Sequence, residues 1–82
     1  MERNEAFEAV VKILTPHVKN QEALDSVSDA TNILDDLKVN SARLVDVVLA
    51  FEDEFDIEIA DEDVDSVNTV GDSVNLILEK LG

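Results

Sequence analysis

The sequence predicts an all-α fold: an antiparallel bundle of three main helices plus one short helix, with a long loop between helices one and two. Apolar residues recur at helical spacing in three stretches, near the N-terminus, from Ser41 to Phe55, and from Gly71-Asp72 to Leu81. The run Phe55-Asp56-Ile57-Glu58-Ile59 alternates like a strand, but no second strand exists to pair with it, so it is a loop. At 82 residues the chain makes a single domain, residues 1–82, that buries roughly 60% of its unfolded surface and is marginally stable. No internal repeat or low-complexity tract is present.

Each element has its own warrant. Glu2 to Leu14 reads as helix one, with Phe7, Val10, Val11 and Leu14 at helical spacing and Pro16 ending it soon afterwards. Pro16 to Asn40 lacks sustained periodicity and is punctuated by Asn20, Ser26, Ser28, Asp29, Thr31 and Asn32. It is expected to be one long ordered loop with a helical turn around Glu22 to Val27. Val18, Leu24, Val27, Ile33, Leu34 and Leu37 are the residues expected to pin it down. Helix two runs from Ser41 to Phe55. At 100° per residue, Leu44, Val48, Phe51 and Phe55 share a narrow arc, flanked by Val47 and Val45. Asp61 to Ser66 forms the short third helix, with Asp61 placed to cap it and Val64 and Val67 turned inward. The last helix begins near Gly71-Asp72 and puts Val74, Ile77, Leu78 and Leu81 on one face.

Composition excludes several functions. The lack of cysteine removes disulfides, thiol catalysis and cysteine-based metal sites, and the lone His17 removes a histidine-rich one. A net charge of −14 excludes nucleic acid, because phosphate binding needs Lys and Arg. No apolar run reaches membrane length and no signal peptide is visible, so a soluble, monomeric, cytoplasmic protein is expected. The acidity is uneven. Residues 1–40 carry eight Asp/Glu against four Lys/Arg, and residues 41–82 carry twelve against two. Partners with basic patches fit such a charge, with association steered by it and weakened by salt.

Helix two carries the functional signal. A polar loop ends at Asn40-Ser41, and the side opposite the apolar arc carries Ala42, Asp46, Leu49 and Asp53. A hydroxyl at a helix start, beside a stripe that is part apolar and part anionic, reads as an attachment point next to a docking surface. Asn40 and Ser41 are equally good N-caps, and a cap alone would explain the pair. Catalytic serine is excluded, since there is no Gly-x-Ser-x-Gly elbow and no histidine in the segment. Asp61, Asp63 and Asp65 sit at positions 1, 3 and 5 of an EF-hand spacing. Ser66 replaces the loop glycine, however, and Asp72 replaces the bidentate glutamate, so no metal site is expected.

The stretch resembles helix two of the acyl carrier proteins, whose signature is Asp-Ser-Leu followed by an acidic amphipathic helix ending in an acidic triplet, Phe and Asp. Asn40-Ser41-Ala42 occupies the signature, and Glu52-Asp53-Glu54-Phe55-Asp56-Ile57-Glu58-Ile59 matches the end of that helix and the loop after it. The likeness continues through Asp61-Glu62-Asp63-Val64 and Thr69-Val70-Gly71-Asp72-Ser73-Val74, covering the chain from Ile33 onward, with Met1 to Leu14 similar in pattern only.

The resemblance implies a carrier, not an enzyme. Ser41 would bear 4′-phosphopantetheine, with Asn40 beside it, and the thiol of that arm would carry acyl groups as thioesters for fatty-acid or other lipid synthesis. A phosphodiester at a helix start also meets free backbone N–H groups and the positive end of the dipole. Ala42, Arg43, Asp46, Leu49, Glu52, Asp53 and Asp61 would form the partner-binding surface. The partners implied are a phosphopantetheinyl transferase and acyl-transfer, lipid- or polyketide-synthesis enzymes with basic patches. Leu44, Val45, Val48, Phe51, Ile59 and Val67 are core residues first, and some would line an acyl pocket. Asn40 replaces the family's Asp, Ala42 a large apolar residue, Arg43 an acid, and Ala60 a common proline. The changes around Ser41 point to a specialised member served by dedicated enzymes. Two alternatives stay open: an unmodified acidic interaction domain, and a carrier for aminoacyl or specialised lipid groups.

Overall fold

A computed structural model describes residues 1–82. Helix α1 spans Arg3–Leu14 and is followed by 3₁₀ turns at Thr15–His17 and Gln21–Ser26. A further 3₁₀ turn at Ser41–Arg43 leads into α2, Leu44–Phe55; α3 spans Asp61–Asp65 and α4 spans Val70–Leu81. Helices α1, α3 and α4 fall within a residue of where the sequence placed them, and α2 ends where expected. Phe55 to Ile59 forms no strand, and the only β-type contact is an isolated bridge between Asn32 and Thr69.

The core is one cluster. From α1 it takes Ala6, Val10 and Leu14, which repeat every four residues down one face and are fully buried. Phe7 and Val11 pack half-buried at its edges. The broadest helix–helix contact is α1 against α4, with α2 packed on both. Helix α2 contributes Val47, Phe51 and Phe55, and α4 contributes Val70, Val74 and Ile77. Val47, a flank in the sequence reading, is the most deeply buried residue of α2. Val45, the other flank, is 63% exposed and lines a groove between α2 and α3. Leu81 is also exposed, lying in the last turn of α4.

The long loop is ordered by backbone hydrogen bonds as much as by apolar anchors. Val18, Ile33, Leu37 and Val39 are buried and Leu24 and Val27 half-buried, whereas Leu34, expected as an anchor, is exposed. The Ile33 N–H donates to the Asn68 carbonyl at 3.0 Å, and those of Val70 and Gly71 donate to Thr31 and Asp29 at 2.9 Å each. These bonds stitch the loop to the start of α4. Arg3 adds a brace from α1, meeting Asp29 at 3.2 Å and Asn75 through a hydrogen bond. Lys38 closes the loop in the left-handed region at φ 59°.

Helix ends follow local chemistry. Asp56 ends α2 in the left-handed conformation, φ 54°, which Asp tolerates better than most residues. Asp61 does not cap α3: the capping position is Ala60, and the Asp63 carboxylate accepts from its N–H at 3.2 Å. Asp63 also meets Lys80 at 3.0 Å, tying α3 to the end of α4. At α4, Thr69 and Asp72 form a full capping box: the Asp72 N–H donates to Thr69 Oγ1 and the Thr69 N–H to Asp72 Oδ2, both at 3.1 Å.

Candidate functional site

The turn before α2 divides its labour between two neighbours. Asn40 is extended, its Oδ1 accepts the Ala42 N–H at 2.9 Å, and its carbonyl accepts the Arg43 N–H at 2.8 Å. Asn40 is therefore the cap. Ser41 is exposed at the first position of the 3₁₀ turn, and its hydroxyl enters none of the chain's side-chain hydrogen bonds. The sequence alone left the cap open between these two residues; the structure assigns it to Asn40 and leaves the serine oxygen free. Helix two thus begins one tight turn later than periodicity suggested, with Leu44 as its first α-helical residue.

Cations gather beside this turn on an otherwise acidic chain. Pro16, His17, Val18, Lys19, Asn40 and Arg43 line an open recess that flanks Ser41. Arg43 meets Asp46 at 3.5 Å across one helical turn, an exposed pair worth little energetically. An uncommitted, exposed hydroxyl with Lys19 and Arg43 nearby suits a phosphodiester.

The outer face of α2 carries the expected stripe. Ala42, Asp46, Leu49 and Asp53 are all exposed, and Asp61 is exposed at the start of α3. Leu49 is 53% exposed, and with Val45 and Val48 it floors a groove between α2 and α3. Acids edge that groove, among them Glu52, Asp61 and Asp65. Glu52 differs from its neighbours. It is half-buried and its Oε2 accepts the Ile59 N–H at 3.0 Å, so its carboxylate holds the loop after α2 in place.

Beneath the stripe lies a nearly closed apolar cavity of about 10 Å³, room for at most one water molecule. Leu44, Val48, Phe51, Ile59 and Val67 line it, as sequence reasoning expected of pocket residues. Val45 does not; it belongs to the outer groove. The reading missed Val64, Ser73, Leu76 and Ile77, which face the cavity from α3 and α4. Ser73 lies three residues after Val70 and four before Ile77, so its helical phase marks it as inward-facing, against its polarity. It is 1% exposed and its Oγ has no hydrogen-bond partner. Leaving such a group unpaired costs about 1–3 kcal/mol.

Two acids are electrostatically marked. Asp63 is held below the ordinary carboxylate range chiefly by its bond from Lys80, then by the Ala60 N–H. Asp72 is held down by the N–H groups of Asn68 and Thr69. Both serve helix ends away from Ser41, which makes them structural acids.

Comparison with known proteins finds relatives along nearly the whole chain. Residues 18–77 match the family described as "Phosphopantetheine attachment site". An acyl carrier protein of Phenylobacterium zucineum is 39% identical over 79 residues, covering 96% of this chain and 98% of that protein. One from Petrotoga mobilis is 40% identical, covering 99% and 93% respectively. The solved structure of the acyl carrier protein from Enterococcus faecalis superposes with a TM-score of 0.79 at 40% identity, covering 98% of this chain and 99% of that one.

Proposed function

The chain belongs to the acyl carrier protein family and takes 4′-phosphopantetheine as its prosthetic group, and on that premise we propose that Ser41 is the attachment residue. The observation carrying this reading is the division of roles at the turn: Asn40 satisfies the backbone, so the Ser41 hydroxyl is exposed and uncommitted. When bound, the group supplies a terminal thiol that holds acyl cargo as a thioester. Loading from coenzyme A forms a bond from Ser41 Oγ to phosphorus and breaks the phosphorus–oxygen bond to the adenosine 3′,5′-bisphosphate leaving group. The serine proton passes to the transferase. Lys19 and Arg43, which line the recess next to Asn40, would offer their charges to the phosphodiester.

The carrier is not an enzyme, and family membership implies a phosphopantetheinyl transferase and fatty-acid-synthesis enzymes as partners. Residues 1–82 act as one carrier unit. The docking face is the exposed stripe of Ala42, Asp46, Leu49 and Asp53 with Asp61 at its foot. Its acids steer basic surfaces toward it, and Leu49 supplies apolar contact once they arrive. Glu52 contributes charge to this face but is anchored by Ile59, so its first role is structural. Arg43, paired with Asp46, screens part of the stripe nearest Ser41. Leu44, Val48, Phe51, Ile59 and Val67 form the acyl pocket, which opens by repacking because its resting volume is too small for cargo.

Intact mass after incubation with coenzyme A tests the reading, using one broad-specificity and one housekeeping transferase. The expected result is one arm mapped to Ser41, and none on a Ser41→Ala variant that keeps the native melting curve. Loading by the broad enzyme alone would mark a specialised carrier, consistent with Asn40 and Ala42 in the signature. No loading by either enzyme, or loading elsewhere, would overturn the assignment and favour an unmodified acidic domain.

A further inference from the structure

Ser73 is the polar exception in the cavity wall. The other lining residues are hydrophobic, and Ser73 is buried with its Oγ unpaired. A serine inside a helix ordinarily turns its hydroxyl onto the carbonyl four residues back. Here the Thr69 carbonyl receives the Ser73 backbone N–H at 3.2 Å, but Ser73 Oγ bonds to neither it nor any other group. A trapped water does not solve the problem, because a buried water needs two to four polar partners and this wall offers a single polar side chain. The hydroxyl is therefore desolvated and unanswered in the wall of the space the cargo must enter.

We propose that Ser73 tunes the pocket toward acyl chains bearing an oxygen function, a hydroxyl or a ketone, over plain saturated chains. This rests on the carrier reading, with cargo attached through Ser41. A saturated chain that repacks the pocket leaves Ser73 Oγ as orphaned as before. An oxygenated chain removes the deficit, because a hydroxyl both donates and accepts and so answers either an alcohol or a ketone. The discrimination follows the rule that a site with a buried polar group rejects the partner lacking its complement more strongly than it distinguishes apolar bulk. Alanine at this position removes the orphan and the preference together.

The test loads the full chain at Ser41 from octanoyl-, 3-hydroxyoctanoyl-, 3-oxooctanoyl- and 5-hydroxyoctanoyl-coenzyme A with a broad-specificity transferase, in the native protein and in Ser73→Ala. Intact mass confirms loading, thermal melts read stability, and methyl NMR of Leu44, Val48 and Ile77 reads entry into the pocket. In the native protein at least one oxygenated cargo should melt above octanoyl by roughly 4–8 °C, the shift expected of about one hydrogen bond in a domain of this size. In Ser73→Ala that advantage should vanish, while the unloaded variant melts at or above the unloaded native protein. Equal melts for all cargoes in the native protein, or an advantage that survives in Ser73→Ala, would overturn the proposal. Pocket methyls unmoved by every cargo would overturn it as well. Failure to load is seen in the mass before any melt, and it would overturn the Ser41 assignment and with it this inference.

Discussion

Gly71→Ala sets two physical effects against each other, and the structure says which wins. Gly71 is the second residue of α4 and is buried. Alanine favours helix over glycine by up to about 1 kcal/mol in a helix interior, and by less in a first turn. Against that, a Cβ at this position would lie 2.8 Å from the Asp29 carbonyl oxygen, 3.0 Å from the Asp29 Cβ and 3.3 Å from its carbonyl carbon. The obstacle is mostly backbone, and that backbone is held from several sides. Gly71 N–H donates to the same Asp29 oxygen at 2.9 Å, Val70 N–H to Thr31 at 2.9 Å, and Arg3 meets the Asp29 carboxylate at 3.2 Å. Relieving the clash means lifting the loop from α4. Overpacking of this kind costs about 1–3 kcal/mol, and a lost hydrogen bond about 0.5–1.5 more. Net destabilisation of about 1–3 kcal/mol follows, a fall in Tm of roughly 5–20 °C. Circular-dichroism melts of the unloaded protein measure it, and amide exchange at residues 70 and 71 should speed up. A variant melting within 2 °C of native, or above it, would refute the claim that contact with Asp29 outweighs helix propensity.

Two further outcomes follow from charge and backbone. Asp63 and Asp72 bind protons more weakly folded than unfolded, so their stabilising contribution is present above the ordinary value of 3.8 and is lost as pH falls through their lowered values. Tm should therefore fall as pH is taken below 3.8; a Tm still rising at pH 3 would contradict the structural role of these two acids. Lys38→Gly should raise Tm by a few degrees, because a lysine at φ 59° carries roughly 1 kcal/mol of strain that glycine does not, partly offset by glycine's greater freedom when unfolded. An unchanged or lower melt would show that the Lys38 side chain does more than tolerate its turn.

Much of this architecture was legible in the chain because helices announce themselves by period. Arg3–Leu14, Leu44–Phe55 and Val70–Leu81 each carry a buried face that repeats at three- and four-residue spacing. Period says which residues share a face, but it does not say what covers that face. Val45 lies on the edge of the α2 arc, and its exposure depends on how α3 sits along that edge, a fact about a different element. The order of the long loop was anticipated, but not its means. The Asn32–Thr69 bridge and the bond from Ile33 to Asn68 are backbone pairings between distant segments, which side-chain identity does not encode. Glu52 shows a related blind spot. An acid among acids reads as surface charge, and only the returning loop reveals that Ile59 claims it. Ser73 was hidden by its own polarity, although its helical phase pointed inward.

The turn at Asn40 and Ser41 separates what must stay from what must change. Asn40 keeps the helix start whether its neighbour is bare, loaded or replaced, since Ala42 and Arg43 depend on it and not on the serine. Position 41 is thereby freed from the fold's own requirements and open to visitors. In this chain that independence comes from a single side-chain amide, one residue upstream of the exposed hydroxyl.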